Sequence, residues 1–194
     1  MNKIPVLMYH SISDDDNKMS VGIKNFFSQM KLMIKLGYKS VKLNDLSNKN
    51  IDKKFVLTFD DGYEDVFVNA LPILNKLEIK ATCFFVSNQI GKYNIWDTNK
   101  SNFNKINLMD DNQINKWIDY GMEVGSHSTD HKNLKSIKYL EKINQIVKSK
   151  EFFKKKFNIN VKSFSYPYGA FDNESVEIVK KNYDFAVTTN RSRY

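Results

Sequence analysis

FVLTFDDGYED, residues 55–65, ends an apolar run with two adjacent carboxylates, Asp60 and Asp61, directly before a glycine. The apolar run predicts a buried β-strand that stops at these aspartates. A DDG sequence alone is typical of a turn, but a turn does not require the pair, and neighbouring carboxylates repel each other. A cation held beside both side chains would remove the repulsion and keep both of them ionised.

Short apolar runs alternate with longer amphipathic segments on both sides of this stretch. The alternation predicts an α/β fold with a parallel sheet, arranged either as an open doubly wound sheet or as a barrel. Neither G-x-G-x-x-G nor G-x-x-x-x-G-K-[ST] is present, so nothing supports a nucleotide site. The predicted strands are 4–9, 39–43, 55–60, 81–86, 122–126, 162–167 and 185–189, and the predicted helices are 24–36, 64–77, 110–120, 135–157 and 172–182.

The length of 194 residues and the hydrophobic content of 41% predict one globular domain over 1–194. Cys83 is the single cysteine, which excludes an intrachain disulfide and a cysteine-rich zinc site. No run approaches the roughly 18 apolar residues of a membrane-spanning helix, so we expect no integral membrane segment. The first residues lack the apolar stretch of a signal peptide, which predicts a cytoplasmic protein or an exported one whose leader has been removed.

The net charge of +8 comes almost entirely from lysine, because the only arginines are Arg191 and Arg193. Sequence-specific nucleic-acid recognition favours the bidentate guanidinium group, so the charge argues against a nucleic-acid partner. The lysine-rich block KSKEFFKKKF, residues 148–157, predicts the solvated face of a helix. Attraction to an anionic glycan or membrane surface is the alternative.

All three histidines of the chain fall at or just beyond the ends of predicted strands. His10 follows the first strand, and His127 follows strand 122–126, with His131 four residues further on. Asp60 and Asp61 stand in the same position after their own strand. Because the carboxyl ends of parallel strands gather on one face and carry the site, we expect these side chains to lie together.

The stretch HSTDH, residues 127–131, places two histidines at i and i+4, the spacing that brings side chains to one side of a helical turn, roughly 5–6 Å apart. Two imidazoles so placed can share a metal, although the glutamate of the H-E-x-x-H motif is absent. With one aspartate they form a ligand set that suits Zn²⁺, Co²⁺, Ni²⁺ or Fe²⁺ and leaves positions for water.

The motifs TFDDG, HSTDH and YPYG, in this order, resemble those of the NodB-type polysaccharide deacetylases, carbohydrate esterase family 4. The N-terminal segment PVLMYHSIS, together with the segment from FFSQMK onward, resembles the branch that includes poly-N-acetylglucosamine deacetylases. The resemblance implies a deformed (β/α) barrel of about seven parallel strands. It also implies one divalent metal, for which Zn²⁺ is favoured and Co²⁺, Ni²⁺ and Fe²⁺ are the alternatives. It also implies removal of acetyl groups from an N-acetylated glycan.

Residue roles carry over from this resemblance by position. Asp60 is then the general base that takes a proton from the attacking water. Asp61, His127 and His131 are the metal ligands, and the backbone N–H of Tyr168 helps to hold the oxyanion.

Two departures from the family pattern affect these roles. Ser165 stands where the third motif often begins with an arginine that pairs with the base, so any positive partner of Asp60 must be a lysine, the metal, Arg191 or Arg193. The late histidine that usually serves as general acid is missing, which leaves His10 for that role. His10 as a further metal ligand, or as a structural strand-end histidine, are the alternatives.

Substrate contacts are expected from aromatic residues near the barrel mouth, although such residues are equally often packing residues. Tyr63, Trp96 and Tyr166 are the candidates to stack on sugar rings, with Pro167 beside them. The long polar connection 87–109 is expected to be functional. The predicted activity is metal-dependent N-deacetylation of an amino-sugar glycan. The alternatives are hydrolysis of a small acetylated or formylated compound and a catalytically silent glycan-binding relative.

Overall fold

Seven parallel strands form one curved sheet in the computed structural model, over the residues that it describes: 4–15, 18–46, 52–99, 101 and 104–190. Each predicted strand overlaps one of the observed ones. The strands are β1 (Val6–Tyr9), β2 (Lys39–Val41), β3 (Lys54–Phe59), β4 (Thr82–Phe85), β5 (Glu123–Ser126), β6 (Ser163–Ser165) and β7 (Phe185–Val187). The helices are α1 (Ile23–Lys35), α2 (Leu71–Lys76), α3 (Asp111–Asp119), α4 (Tyr139–Phe157) and α5 (Asn173–Asn182).

β3 organises the first half of the sheet because it pairs with three other strands. Val56 pairs with both Val6 of β1 and Val41 of β2, so β1 and β2 lie on opposite sides of β3. The end of β3 pairs with β4, and the sheet continues through β5 and β6 to β7. Over the described ranges no ladder joins β7 back to β1, so the sheet is a barrel that is open between these two strands.

Alternate residues of β3 face two different layers, as the two-residue period of a strand requires. Val56 faces the barrel interior, where it packs with Leu43 and Phe84. Asp60, four residues after Val56, continues the same face, and this directs it to the interior at the carboxyl end of the strand. The opposite face joins the large core between the sheet and the helices through Phe55, Leu57 and Phe59.

The amino end of the barrel interior holds a buried glutamate, Glu123, at the first residue of β5. Its Oε2 accepts hydrogen bonds from Thr82 Oγ1 (2.7 Å) and from the backbone N–H of Asn44 (3.1 Å). Its Oε1 accepts from Ser163 Oγ at 2.5 Å. Both carboxylate oxygens therefore have partners, and they tie the first residues of β4 and β6 to the turn that follows β2.

The predicted helix 64–77 is confirmed as a continuous helical segment over 64–76, whose middle part, Val66–Ala70, is π-helical and whose last part is α2. One helix prediction requires correction. The predicted helix 135–157 begins only at Tyr139, because Ile137 has an extended backbone that no helix can include. Among the described residues, no helix has the length and hydrophobicity of a membrane span.

Candidate metal centre and active site

Three potential metal ligands meet beyond the carboxyl ends of β3 and β5. Asp61 Oδ1 lies 3.4 Å from His127 Nε2 and 3.2 Å from His131 Nε2. All three side chains are buried, and their ligand atoms lie within 4.8 Å of one another. The structure thus brings together the three residues that the sequence predicted as ligands.

The turn after β3 directs the two aspartates differently. Asp60 still belongs to the sheet, since its N–H donates to the carbonyl of Tyr9 at 3.0 Å. Asp61 has a φ of 72° and Gly62 a φ of 75°, so the chain reverses sharply after Asp60. A Cβ at position 62 would lie 2.5 Å from the ring of Phe85, which explains the glycine.

The HSTDH segment is a tight turn and not the helical turn that its spacing predicted. His127 continues β5, its N–H bonded to the carbonyl of Phe85, while Ser128 and His131 have φ values of 67° and 58°. Ser128 Oγ accepts a hydrogen bond from the N–H of His131 at 3.0 Å. The turn sets the two imidazole centroids 4.8 Å apart.

The hydrogen bond at Nδ1 of His127 leaves its other ring nitrogen available to a cation. Its Nδ1 lies 2.8 Å from the carbonyl oxygen of Ser165 and must be the donor, because a carbonyl can only accept. In the neutral ring, Nε2 then presents a lone pair to a carboxylate oxygen of Asp61. Two acceptors facing each other suit a metal ion, and a carbonyl on the other ring nitrogen is the usual partner of a metal-binding histidine.

Burial and neighbouring charges have opposite effects on the pKa values of the residues in this cluster. Burial would raise the pKa of Asp61, but the two adjacent imidazoles hold that pKa well below its usual range. Burial lowers the pKa of His131, whereas at His127 the carboxylates of Asp61 and Asp60 outweigh burial and raise the pKa. An ionised Asp61 and a neutral His131 are the protonation states that metal coordination requires.

Asp60 lies beside the ligand set and is only 3% exposed. Ser165 Oγ donates to its Oδ2 at 3.1 Å, so a neutral hydroxyl occupies the place where the family pattern has an arginine. Within the described part of the chain, Oδ1 of Asp60 has no hydrogen-bond partner. The alternative partners Arg191 and Arg193 lie outside the described residues.

A cavity of about 330 Å³ opens over the centre and is lined by both aspartates and by both histidines of the ligand set. His10 lines the same cavity. The segment after His10 is held by Asp65, which accepts hydrogen bonds from Ser11 Oγ (2.6 Å) and from the N–H of Ile12 (2.9 Å). Sequence reasoning did not single out Asp65, although it lies in the opening stretch.

Two aromatic side chains frame His131. The ring of Trp96 stacks on the imidazole with centroids 4.5 Å apart and an interplanar angle of 23°. Tyr168 meets the same imidazole edge-on, also at 4.5 Å, and remains 49% exposed. Its φ of 59° turns the peptide sharply at the cavity wall, where the resemblance placed the oxyanion contact.

The other predicted sugar-binding residues are buried. Tyr63 is 1% exposed and lines the cavity beside Asp61, where burial and that carboxylate raise its pKa. The ring of Tyr166 packs against Phe164 and Phe171, and burial raises its pKa to about 12. Pro167 is buried and does not line the cavity. A sugar contact by Tyr63, Tyr166 or Pro167 stays a prediction, and Tyr63 alone of the three lines the described cavity.

Asp97 is a cavity residue that sequence reasoning missed. It lies beside Trp96 in the 3₁₀ turn Ile95–Asp97, within the long connection that was expected to be functional. Asn94 is 2% exposed and organises this turn: its Nδ2 donates to Asp97 Oδ2 at 3.1 Å, and its Oδ1 accepts from the N–H of Ile106 at 2.8 Å. The length of the loop was the available signal, but it did not indicate which carboxylate enters the cavity.

Comparison with known families shows to which family the chain belongs. The sequence profile described as "Polysaccharide deacetylase" matches residues 47–184, well over half of the chain. The chain belongs to the polysaccharide deacetylase family. The deformed (β/α) barrel expected from the three motifs is confirmed, and a divalent metal is general to this family.

Two relatives cover most of the chain. YxkH of Bacillus subtilis (strain 168) is 31% identical over 194 residues, which is 96% of this chain and 64% of YxkH. The poly-β-1,6-N-acetyl-D-glucosamine N-deacetylase of Staphylococcus epidermidis is 29% identical over 135 residues, 65% of this chain and 44% of the relative. The chain thus spans less than two thirds of these relatives.

Among solved structures, the Streptococcus pyogenes deacetylase PplD in complex with acetate superposes with a TM-score of 0.84 at 27% identity. The superposition covers 97% of this chain and 84% of the PplD chain. The fold of this chain is therefore similar to that of a solved deacetylase.

Proposed function

We propose that this polysaccharide deacetylase hydrolyses N-acetyl groups of an amino-sugar glycan and releases acetate, with a divalent metal held by Asp61, His127 and His131. One observation carries the proposal. Asp60, a buried carboxylate with one oxygen that lacks a partner among the described residues, stands beside these ligands and faces the same cavity. Amide hydrolysis needs a base that takes a proton from the attacking water and an electrophile that polarises the carbonyl group. Asp60 would be the base, and the metal held by the three ligands would be the electrophile.

Zn²⁺ is the metal that the donor set favours, because two imidazoles and one carboxylate leave an open position in a tetrahedral site. Co²⁺, Ni²⁺ and Fe²⁺ accept the same donors. When bound, a divalent metal polarises the acetyl carbonyl and makes a water molecule more acidic.

Asp60 is proposed to take the proton from the attacking water on its free oxygen, Oδ1. Its other oxygen is held by Ser165 Oγ at 3.1 Å, which fixes the carboxylate in the cavity wall. The hydroxide formed adds to the acetyl carbon, and the backbone N–H of Tyr168 is proposed to donate a hydrogen bond to the developing oxyanion.

His10 is proposed to protonate the amine as the C–N bond breaks, because an amine leaves poorly as an anion. Imidazolium is the side chain that gives up a proton most readily near neutral pH, and His10 lines the cavity that holds Asp60. The products are acetate and a free amino sugar. A role as an additional metal ligand or as a purely structural residue is distinguished by experiment below.

The substrate class is supported by the name of the Staphylococcus epidermidis relative, which acts on poly-β-1,6-N-acetyl-D-glucosamine. The described cavity also contains Trp96 and Asp97, an aromatic face and a hydrogen-bond acceptor of the kind that sugars use. We therefore propose an N-acetylated glucosamine polymer or oligomer as the substrate.

The test is acetate release from a panel of N-acetylglucosamine oligomers by the protein loaded with Zn²⁺, with Asp60→Asn as the matched control. Release that depends on metal and on Asp60 supports the proposal. Release only from small acetylated or formylated compounds would favour a small-molecule hydrolase, and glycan binding without any release would indicate a silent relative.

A further inference from the structure

Gln145 of α4 forms hydrogen bonds with the turn between the two histidine ligands. Its Oε1 accepts a hydrogen bond from the N–H of Asp130 at 3.0 Å, and its Nε2 donates to Asp130 Oδ2 at 2.7 Å. Its backbone carbonyl accepts from the N–H of Thr129 at 3.1 Å. Gln145 is 3% exposed, so three contacts from one buried residue hold two consecutive residues of the turn.

The carboxylate of Asp130 collects further donors from two directions. Thr129 Oγ1 donates to Oδ2 at 2.9 Å, and Asn88 Nδ2 donates to Oδ1 at 2.8 Å. The segment after β4 also supports the turn through its backbone, since the N–H of Ser87 bonds to the carbonyl of Ser128 at 3.1 Å. Asp130 therefore joins α4, the segment after β4 and the turn that carries His131.

This network bears on the metal centre because the turn has an unfavourable backbone. Ser128 and His131 both have left-handed φ values, 67° and 58°, which residues other than glycine adopt only when their surroundings enforce it. The conformation is what brings His131 Nε2 to 3.2 Å from Asp61 Oδ1. A turn released from Gln145 would lose contacts that hold Asp130, the immediate neighbour of His131.

We propose that the Gln145–Asp130 pair positions His131 and thereby sets the affinity of the metal centre, as a positioning device separate from the ligands themselves. The inference rests on the proposed metal site. It assigns a role to α4, a helix that contributes no ligand. Outer hydrogen-bond partners of metal ligands typically change affinity by about 10–100-fold when they are lost.

A donor–acceptor swap tests the pair. Gln145→Glu sets two carboxylates against each other, and Asp130→Asn leaves one acceptor oxygen for the three donors Gln145, Thr129 and Asn88. Each single substitution should therefore weaken Zn²⁺ binding by about 10–100-fold. The double variant Asp130→Asn/Gln145→Glu restores one donor and one acceptor, since the new amide at 130 donates to the new carboxylate at 145. It should recover most of the lost affinity. Zn²⁺ affinity is measured by competition with a chromophoric chelator, at a temperature well below unfolding.

The matched control is Asn144→Asp, which makes the same amide-to-carboxylate change at an exposed neighbouring position of α4. It should leave Zn²⁺ affinity unchanged. Gln145→Ala, which removes the contacts without adding charge, should also weaken binding and serves if Gln145→Glu fails to fold.

Unchanged Zn²⁺ affinity in the folded single variants, with only the melting temperature lowered, would overturn the inference, because the pair would then act on the fold alone. An equal loss in Asn144→Asp would also overturn it, since the effect would be one of charge. If the unsubstituted protein binds no Zn²⁺ at all, the proposed metal site itself fails, and that result is distinct from either of these.

Discussion

The two ends of the barrel each hold a buried carboxylate, and they differ in how its oxygens are satisfied. At the amino end, Glu123 accepts hydrogen bonds on both oxygens from protein donors. At the carboxyl end, Asp60 accepts one bond from Ser165 on Oδ2, while its Oδ1 has no partner among the described residues. The two residues are nearly equally buried, at 5% and 3% exposure.

The difference teaches how to distinguish a structural carboxylate from a reactive one in the same interior. A buried carboxylate whose oxygens all have partners holds elements together, and removing it leaves donors unsatisfied. A buried carboxylate with an open oxygen destabilises the fold, and its retention indicates a ligand or a reaction. The comparison predicts opposite responses to neutralising the two side chains.

The largest effect is expected at the ligands beside Asp60. His127→Ala or His131→Ala should abolish stoichiometric metal, because two remaining donors cannot hold a divalent ion in competition with water. Metal content per chain after gel filtration is the measurement. Glu123→Gln serves as the control and should retain its metal, and a full metal content in both histidine variants would place the site elsewhere.

Asp60→Asn should lower acetate release by roughly 10²–10⁴-fold, the usual contribution of a general base. Metal content should stay the same, and the melting temperature should not fall, because a costly buried charge is removed. The measurement is acetate release at pH 7 alongside thermal unfolding. A variant that works at nearly the original rate would assign the base to another group.

His10→Gln should lower activity on an N-acetylated glycan more than activity on an activated acetyl ester, whose leaving group departs without a proton. The ratio of the two rates, measured together with the metal content, distinguishes the possible roles of His10. Equal losses together with loss of metal would make His10 a ligand. No loss on either substrate would make it a structural residue.

The smallest effect on activity, with the clearest effect on stability, is expected at the other end of the barrel. Glu123→Gln replaces one acceptor oxygen by an NH₂ group, so either Asn44 N–H or Ser163 Oγ loses its acceptor. The free energy of unfolding should fall by about 1–3 kcal/mol, the cost of an unsatisfied buried donor. Denaturant unfolding measures this change, and acetate release by the folded variant should be unaffected. A loss of activity as large as that of Asp60→Asn would break the contrast between the two ends.

The positions of β1, β3 and β4 were predictable because each is a short, largely apolar run. The ligand residues were predictable for a related reason: Asp61 and His127 follow such runs, and parallel strands deliver their ends to one edge. The start of α4 was not predictable, since the extended backbone at Ile137 depends on contacts that its sequence does not show.

Other parts of the site depend on pairs of residues that no local pattern connects. Asp97 reaches the cavity through the bonds that Asn94 makes within its loop, and Tyr166 is covered by Phe171. Glu123 is the first residue of β5, and only the approach of Ser163 and Thr82 explains its burial. Sequence reasoning finds residues that act through their own strand more easily than those that act through a distant partner.

The hydrogen bond from Ser165 to Asp60 joins residues 105 positions apart, and the bond from His127 to Ser165 spans another 38. Contacts between such distant parts of a chain form late, because the entropy of closing the loops must be overcome before any of them is made. The hydrogen bonds that orient His127 and Asp60 therefore cannot form before β6 joins the sheet. During refolding, metal uptake should coincide with the slowest folding phase, so the bound ion would report completion of the sheet.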